Sequence, residues 1–328
     1  MDRDVPPVKR FDWRRAGSQA RAVPLIALLI ACLLPWRPEI LSLYNLESLA
    51  LAIALLFVLA MGQSFVMISG GIDLSQPAVI SACGVAGAFC FAAPDPSAGA
   101  GSSVVLGLTV MLCTGIVVGA AQGLAVAYLR LPPLLVSLAT LMVVGGGTLW
   151  ATQSNRYELP GEFTRIWYAR PAGVPIPLLI VAAVAVVAHF ALAHTLFGRR
   201  LYAVGQNATV ARIAGLPVER TIASSYVVCG FCSGLAGVFY SARLYTASAE
   251  LVENDVLLDC IAAAVIGGVS LSGGKGKVTG VLAGAVFVAL VGNALNLLGL
   301  RYWHVLIAKG TVILLAVALD AAGRSRRA

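Results

Sequence analysis

Three ionisable side chains interrupt apolar stretches of this chain: Asp73 in SGGIDLSQP, Asp259 in LLDCIAAAV and Lys309 in LIAKGTVIL. Inside a bilayer each such group costs roughly 2.5–3.5 kcal/mol on insertion scales, so an ionisable residue there is a functional candidate by default. Lys309 needs a partner. Asp259 stands about one turn into its own apolar run from the same side, and its depth suits Lys309 better than that of Asp73. The pair Asp259–Lys309 reads either as a structural ion pair or as a gate that breaks and reforms. Asp73 sits between glycines Gly70 and Gly71 and the Ser75–Pro77 stretch, which reads as a helix break. Either the break lines a pathway or moves in gating, or it is an interfacial turn in which Asp73 caps a helix N-terminus. Ser75 is placed to cap the helix that follows, with Pro77 early in it. Asn293 and Asn296 are three apart and share a helix face. They bind a solute's hydroxyls or knit helices together, and knitting is the stronger reading. Gln63 and Gln122 carry the same two readings.

Other chemistries are missing. Nucleotide binding by a Walker A loop needs GxxxxGK[ST]. Around Gly274-Lys275 the required glycine is replaced by Val269 and the hydroxyl residue by Gly276. The same turn fails GxGxxG at Thr279. The histidines 189, 194 and 304 are scattered and no HExxH occurs, so neither a metal set nor a nucleophile–base pair is assigned. The seven cysteines lie in or beside apolar runs. Cys229 and Cys232 have CxxC spacing without the ligands or soluble fold that zinc or redox chemistry needs, and read as small apolar filler.

These residues have to be positioned by membrane spans. The chain is 59% hydrophobic and 12% charged, with a mean hydropathy of +0.89, against about 45–50% and 25% in soluble domains. About 20 apolar residues cross a bilayer. Ten runs qualify, at roughly 22–41, 49–69, 74–92, 103–129, 131–152, 174–194, 221–242, 255–271, 277–298 and 302–320. The run after the basic N-terminus is read as an uncleaved first span, since no small-residue cleavage site follows it. The expected organisation is a cytoplasmic tail over 1–21, a membrane domain over 22–320 and a cytoplasmic tail over 321–328. With the N-terminus inside, sixteen of the 23 Lys and Arg residues fall on the cytoplasmic side, six outside, and Lys309 between. That asymmetry places both termini inside. The net charge of +8 is then a topology signal, and nucleic acid is not a partner.

One inside segment, 195–220, is more than a charged loop. Asn207 is a good N-cap, residues 208–214 lack helix breakers, Gly215 suits the left-handed C′ position, and Pro217 stops the helix. Val210, Ile213 and Ala214 form a small apolar face. A helix of about two turns is not stable alone in water and must pack on its own spans or on another protein.

This segment, with Gly205-Gln206-Asn207 followed by Ala211-Arg212-Ile213-Ala214-Gly215-Leu216, resembles the cytoplasmic coupling segment of ABC-importer permeases of the ribose and simple-sugar type. The resemblance continues in order through Ser69-Gly70-Gly71-Ile72-Asp73-Leu74-Ser75, the Gly-rich turn at residues 267–276, and Asn293-Ala294-Leu295-Asn296. It implies an all-α fold of about ten transmembrane helices, similar to the cobalamin-importer permeases. It also implies a homodimer in the inner membrane, an ABC ATPase subunit gripping the coupling helix, and a periplasmic substrate-binding protein delivering a monosaccharide. No cofactor is implied, and the chain is a transport subunit, not an enzyme. Asn207, Val210, Ala211, Arg212, Ile213, Gly215 and Leu216 would carry the coupling. Gln63, Gly70, Gly71, Asp73, Ser75, Asn293 and Asn296 are the candidates for the pathway or its gating. Relatives usually carry an acidic residue where Ala208 stands, so docking leans on apolar contact and on Arg212. The periplasmic segments 153–173 and 243–255 offer charged surface to a receptor. A self-contained, ion-coupled secondary transporter is the rival reading, and it would leave the capped helix unexplained. The Gly-rich turns at 70–75 and 267–272 look alike, yet both fall on the cytoplasmic side, so no inverted repeat is inferred from them.

Overall fold

The computed structural model describes residue 35 and residues 37–92, 100–252, 255–301, 303–311 and 314. The expected tails at 1–21 and 321–328, most of the first span and part of the last lie outside the described residues. The helices are α1 (Leu43–Ile68), α2 (Gln76–Ala92), α3 (Ala100–Ala127), α4 (Pro133–Thr152), α5 (Gly161–Tyr168), α6 (Ile176–His194), α7 (Leu196–Gln206), α8 (Ala208–Ile213), α9 (Val218–Leu244), α10 (Asp255–Ile266) and α11 (Val278–Leu297). Residues 303–311 are also helical. Six of these helices, α1, α3, α4, α6, α9 and α11, are long and apolar enough to cross a membrane. The apolar helices α2 and α10 are shorter. This is a polytopic membrane architecture.

The middle of the bundle follows from composition. From Ala54 to Ile68 every residue of α1 is buried, as expected of a helix that is hydrophobic all round. Its start is fixed by Ser42, whose side chain accepts from the Asn45 backbone N–H. Helices α3 and α9 cross closely because glycines meet at the crossing. A Cβ on Gly230 would come 2.1 Å from the Gly115 carbonyl oxygen, and one on Gly119 would come 2.4 Å from that of Tyr226. Without a hydrophobic drive between helices in lipid, such close backbone approach is a main source of association. Helices α4 and α6 instead leave large apolar side chains open, among them Leu135, Met142, Trp150, Val186 and Phe190.

The two short helices have a common cause. Gly70, at φ +92°, turns the chain back at the end of α1. Residues 71–75 are neither helix nor strand. Gln76 donates from Nε2 to the Leu59 carbonyl at 3.2 Å, so α2 begins opposite a residue about 13 Å back along α1. The expected span 255–271 is likewise cut short. Helix α10 stops at Ile266, where the backbone turns through Gly268 at φ +87°. Non-helical backbone at such depth is tolerated only where protein surrounds it.

The 27 residues of α9 span about 40 Å, so the elements joined to its two ends lie at opposite ends of the molecule. One end carries α7 and α8. The other carries α5 and a two-residue ribbon in which β1 (Tyr157–Glu158) pairs antiparallel with β2 (Thr246–Ala247). There Phe163 and Trp167 bury the apolar face of α5, and the rings of Tyr168 and Tyr245 stack at 5.0 Å.

Candidate functional site

Two sites emerge. The first is the capped segment. Helix α8 forms over Ala208–Ile213, and the Asn207 side chain accepts from the Val210 N–H at 3.0 Å. Gly215 has φ +76°, and the Leu216 N–H closes the end on the Ala211 carbonyl at 3.0 Å. Ala211 is 4% exposed and packs with Val204 and Val218, with Leu216 against them. That inward anchor faces away from the apolar face read from the sequence. Val210 is 59% exposed and Ile213 83% exposed, and Ala214 is exposed with them. Arg212 turns back and donates from Nε at 3.2 Å and from an Nη at 2.6 Å to Glu219 on α9. A pair this exposed adds little stability, but it fixes the direction of the helix. The result is a short rod, held on one side and presenting two aliphatic side chains on the other.

Helix α7 carries this rod and is wedged against two glycine-rich turns. Thr195 caps it, accepting from the Gly198 N–H. Near its far end, Gly205 lies so close to the end of α1 that a Cβ there would sit 1.7 Å from the Ile68 carbonyl oxygen and 2.6 Å from the Gly274 nitrogen. Gly274 itself donates to that Ile68 carbonyl at 2.9 Å. The Tyr202 hydroxyl donates to the Gly276 carbonyl at 2.8 Å, and burial pushes this phenol above its ordinary range. The turns at 69–75 and 267–277, distant in sequence, therefore meet at one point under α7.

The second site is a buried polar node around Asp73, which is 2% exposed. Its Oδ1 accepts from the Ser75 N–H at 2.8 Å and from the Ser75 hydroxyl at 2.7 Å. Gln122 on α3 donates to the same hydroxyl at 2.8 Å, so the Ser75 side chain is engaged here and does not cap α2. With its amide assigned in the orientation that satisfies both groups, Gln63 donates to the Asp73 carbonyl at 3.0 Å and accepts from the Asp73 N–H at 3.3 Å. The reading of Cys229 as apolar filler is corrected, while Cys232 packs in the apolar core. Cys229 donates to Asp73 Oδ2 at 3.4 Å and Cys260 to Gln76 Oε1 at 3.0 Å. In a low-dielectric interior a thiol is a small donor that reaches polar groups a methyl cannot satisfy. Gln76, Cys229, Cys260 and the buried Tyr226 escaped the sequence reading. The one available signal was Gln76 itself, a polar residue opening an apolar run. Among the described residues no group of three His, Cys, Asp or Glu side chains lies close enough to hold a metal ion.

The remaining sequence candidates separate. Gly71 is buried and Gly70 exposed. Asn293 exchanges side-chain hydrogen bonds with Asn45 at 2.7 and 3.1 Å, tying α11 to α1. Asn296 is exposed, so the two asparagines do not act on one contact as their spacing suggested. Lys309 donates from Nζ to Asp259 Oδ2 at 2.7 Å, with both side chains largely buried. Gln122 also borders an open, mostly apolar groove of about 610 Å³ between α3 and α4, lined in part by Val118, Leu135, Val136 and Thr140.

Against known proteins, residues 45–317 match the family model described as branched-chain amino acid transport system / permease component. The chain is 33% identical over 317 residues to the ribose import permease protein RbsC of Escherichia coli (strain K12), covering 95% of this chain and 96% of that protein. It is 32% identical to the L-arabinose transport system permease protein AraH of the same organism, over 96% of this chain and 94% of that one. To the D-allose transport system permease protein AlsC it is 31% identical, over 90% and 89%. No solved structure matches.

Proposed function

The chain belongs to the family described as branched-chain amino acid transport system / permease component, and on that premise we propose the following function. It is the multi-pass, inner-membrane permease subunit of a bacterial ABC importer for a monosaccharide. Full-length similarity to ribose, arabinose and allose permeases supports the substrate class. The chain is a transport subunit, and ATP hydrolysis belongs to a separate ATPase subunit. A periplasmic binding protein delivers the sugar, two copies of the chain enclose the pathway, and both termini lie in the cytoplasm. Each copy has about ten transmembrane helices in a cobalamin-importer type of fold.

In this reading α8 is the coupling helix. The observation that carries the assignment is its geometry: Asn207 and Gly215 cap it, Ala211 anchors it, and Val210 and Ile213 stand open to water. Two exposed aliphatic side chains on a helix too short to stand alone suit insertion into a groove on a partner. With no acidic residue at position 208, the contact is apolar, and Arg212 is held back against Glu219. Asp73, Ser75, Gln63 and Gly71 act as a frame that holds the break between α1 and α2, with Gly70 as its turn. Asn293 knits α11 to α1, and Asn296 is left available on that face. Asp259 and Lys309 form the intramembrane ion pair.

The test is purification from native membranes in mild detergent with mass analysis of what co-purifies. An ATPase subunit at one copy per permease is expected, and Ile213→Asp should lose it while the chain remains inserted. Recovery of the wild-type chain alone under several gentle detergents would overturn the reading and favour an ion-coupled transporter.

A further inference from the structure

The wedge under α7 has a consequence beyond docking. Helix α8 is continuous with α7 through one residue, Asn207, whose N–H stays bonded to the Ala203 carbonyl at 3.2 Å. A push on α8 is therefore delivered to the last turn of α7. That turn has no slack. Gly205 rests backbone to backbone on Ile68 and Gly274, and a Cβ on Gly273 would come 2.6 Å from the Gly205 carbonyl oxygen. Packed cores transmit displacement when no void absorbs it.

What lies beyond the contact is equally specific. Ile68 is the last residue of α1 before the break, and the break leads into α2. Gly274 belongs to the turn that joins α10 to α11. So the two places where α7 presses are the turns that end α1 and follow α10. The short helices beyond them are tied together: Cys260 of α10 donates to Gln76 at the start of α2. Gln76 also donates to Leu59 of α1. A shift at the junction reaches both short helices together.

We propose that Gly205 and Tyr202 are positioning residues for transport. They form a junction that passes the coupling stroke from α8 into the 69–75 and 267–277 turns, and through them into α2 and α10 as a pair. Gly205 supplies contact without a side chain. Tyr202 ties α7 to Gly276 so that the turn follows in both directions. This rests on the reading of the chain as an importer permease and adds the route by which the stroke enters the membrane.

The experiment uses the importer purified with its co-purifying ATPase and its binding protein, reconstituted in proteoliposomes. Uptake of labelled ribose, arabinose and allose is measured beside ATP hydrolysis and the amount of ATPase retained. Tyr202→Phe removes one hydroxyl and adds no volume. Gly205→Ala adds the clashing Cβ. Gly146→Ala, where nothing lies within 4 Å, is the control. Both junction variants should retain the ATPase and its basal hydrolysis. They should lose the extra hydrolysis caused by loaded binding protein, and uptake should fall by about tenfold or more for Gly205→Ala, as an ångström-scale misplacement produces. For Tyr202→Phe a fall of several-fold is expected. If Gly205→Ala does not assemble, Tyr202→Phe decides. Wild-type uptake in Tyr202→Phe overturns the proposal, as does a loss of uptake in Tyr202→Phe that merely tracks lost ATPase. Absence of any ATPase from the wild-type preparation would instead defeat the underlying reading.

Discussion

Replacing Gly230 with Ala tests the packing logic that holds every candidate residue in place. The new Cβ would lie 2.1 Å from the Gly115 carbonyl oxygen and 3.0 Å from Gly119 Cα. Ordinary C–H···O contact begins near 3.3 Å, so α3 and α9 must part by about 1.2 Å. A gap of that size forfeits about half of each contact's 0.1–0.2 kcal/mol. Over roughly twenty atom pairs along the seam the loss is about 1–2 kcal/mol, within the range for overpacking. At about 2–4 °C per kcal/mol, the melting midpoint falls by roughly 2–8 °C. The protein carries its own reporter for the measurement. Cys83, Cys229, Cys232 and Cys260 are buried, so a thiol-reactive fluorogenic dye reads unfolding in detergent as these groups become accessible. Gly146→Ala, with open space around the site, should melt no lower than the wild type. A Gly230→Ala protein that melts with the wild type, or a Gly146→Ala protein that falls as far, would refute the reasoning.

Lys309→Met should destabilise the protein by about 3–5 kcal/mol by removing the ammonium that faces the buried Asp259 carboxylate, and Lys309→Met with Asp259→Leu should recover most of that; equal losses in the same thermal assay would show that the pair does not matter. Asn45→Ala and Asn293→Ala should show a coupling of about 0.6 kcal/mol, up to about 1.7, in a double-mutant cycle, and strict additivity would count against the tie between α1 and α11. Gly215→Val forces a β-branched residue to φ +76°, at about 1–2 kcal/mol, so ATPase recovered on purification should drop by roughly 5–30-fold with insertion unchanged. Normal recovery would argue that the C-cap of α8 is not needed for docking.

The membrane class, the capped helix at 208–213 and the break around Asp73 were all legible in the sequence, because each rests on local physics. Apolar run length sets bilayer crossing, cap chemistry sets helix ends, and Gly70-Gly71 permits a sharp turn wherever it occurs. The pairing of Asp259 with Lys309 was also accessible, since depth along two spans limits which charges can meet. What the sequence left ambiguous depended on azimuth and on distant partners. Asn293 and Asn296 look equivalent by spacing, yet only Asn293 faces Asn45, because helix rotation is set by the neighbouring α1. Cys229 and Cys260 look apolar until the fold places Asp73 and Gln76 beside them. The span expected at 255–271 ends early because the chain turns at Gly268 and the turn that follows packs Gly273 and Gly274 on Gly205. By itself, then, the sequence determined which runs prefer lipid, the caps of the helix at 208–213 and the break at 70–75. Only the tertiary structure decided which face of each helix meets which neighbour, because that choice is made by close packing between segments as far as 248 residues apart and leaves no local signature.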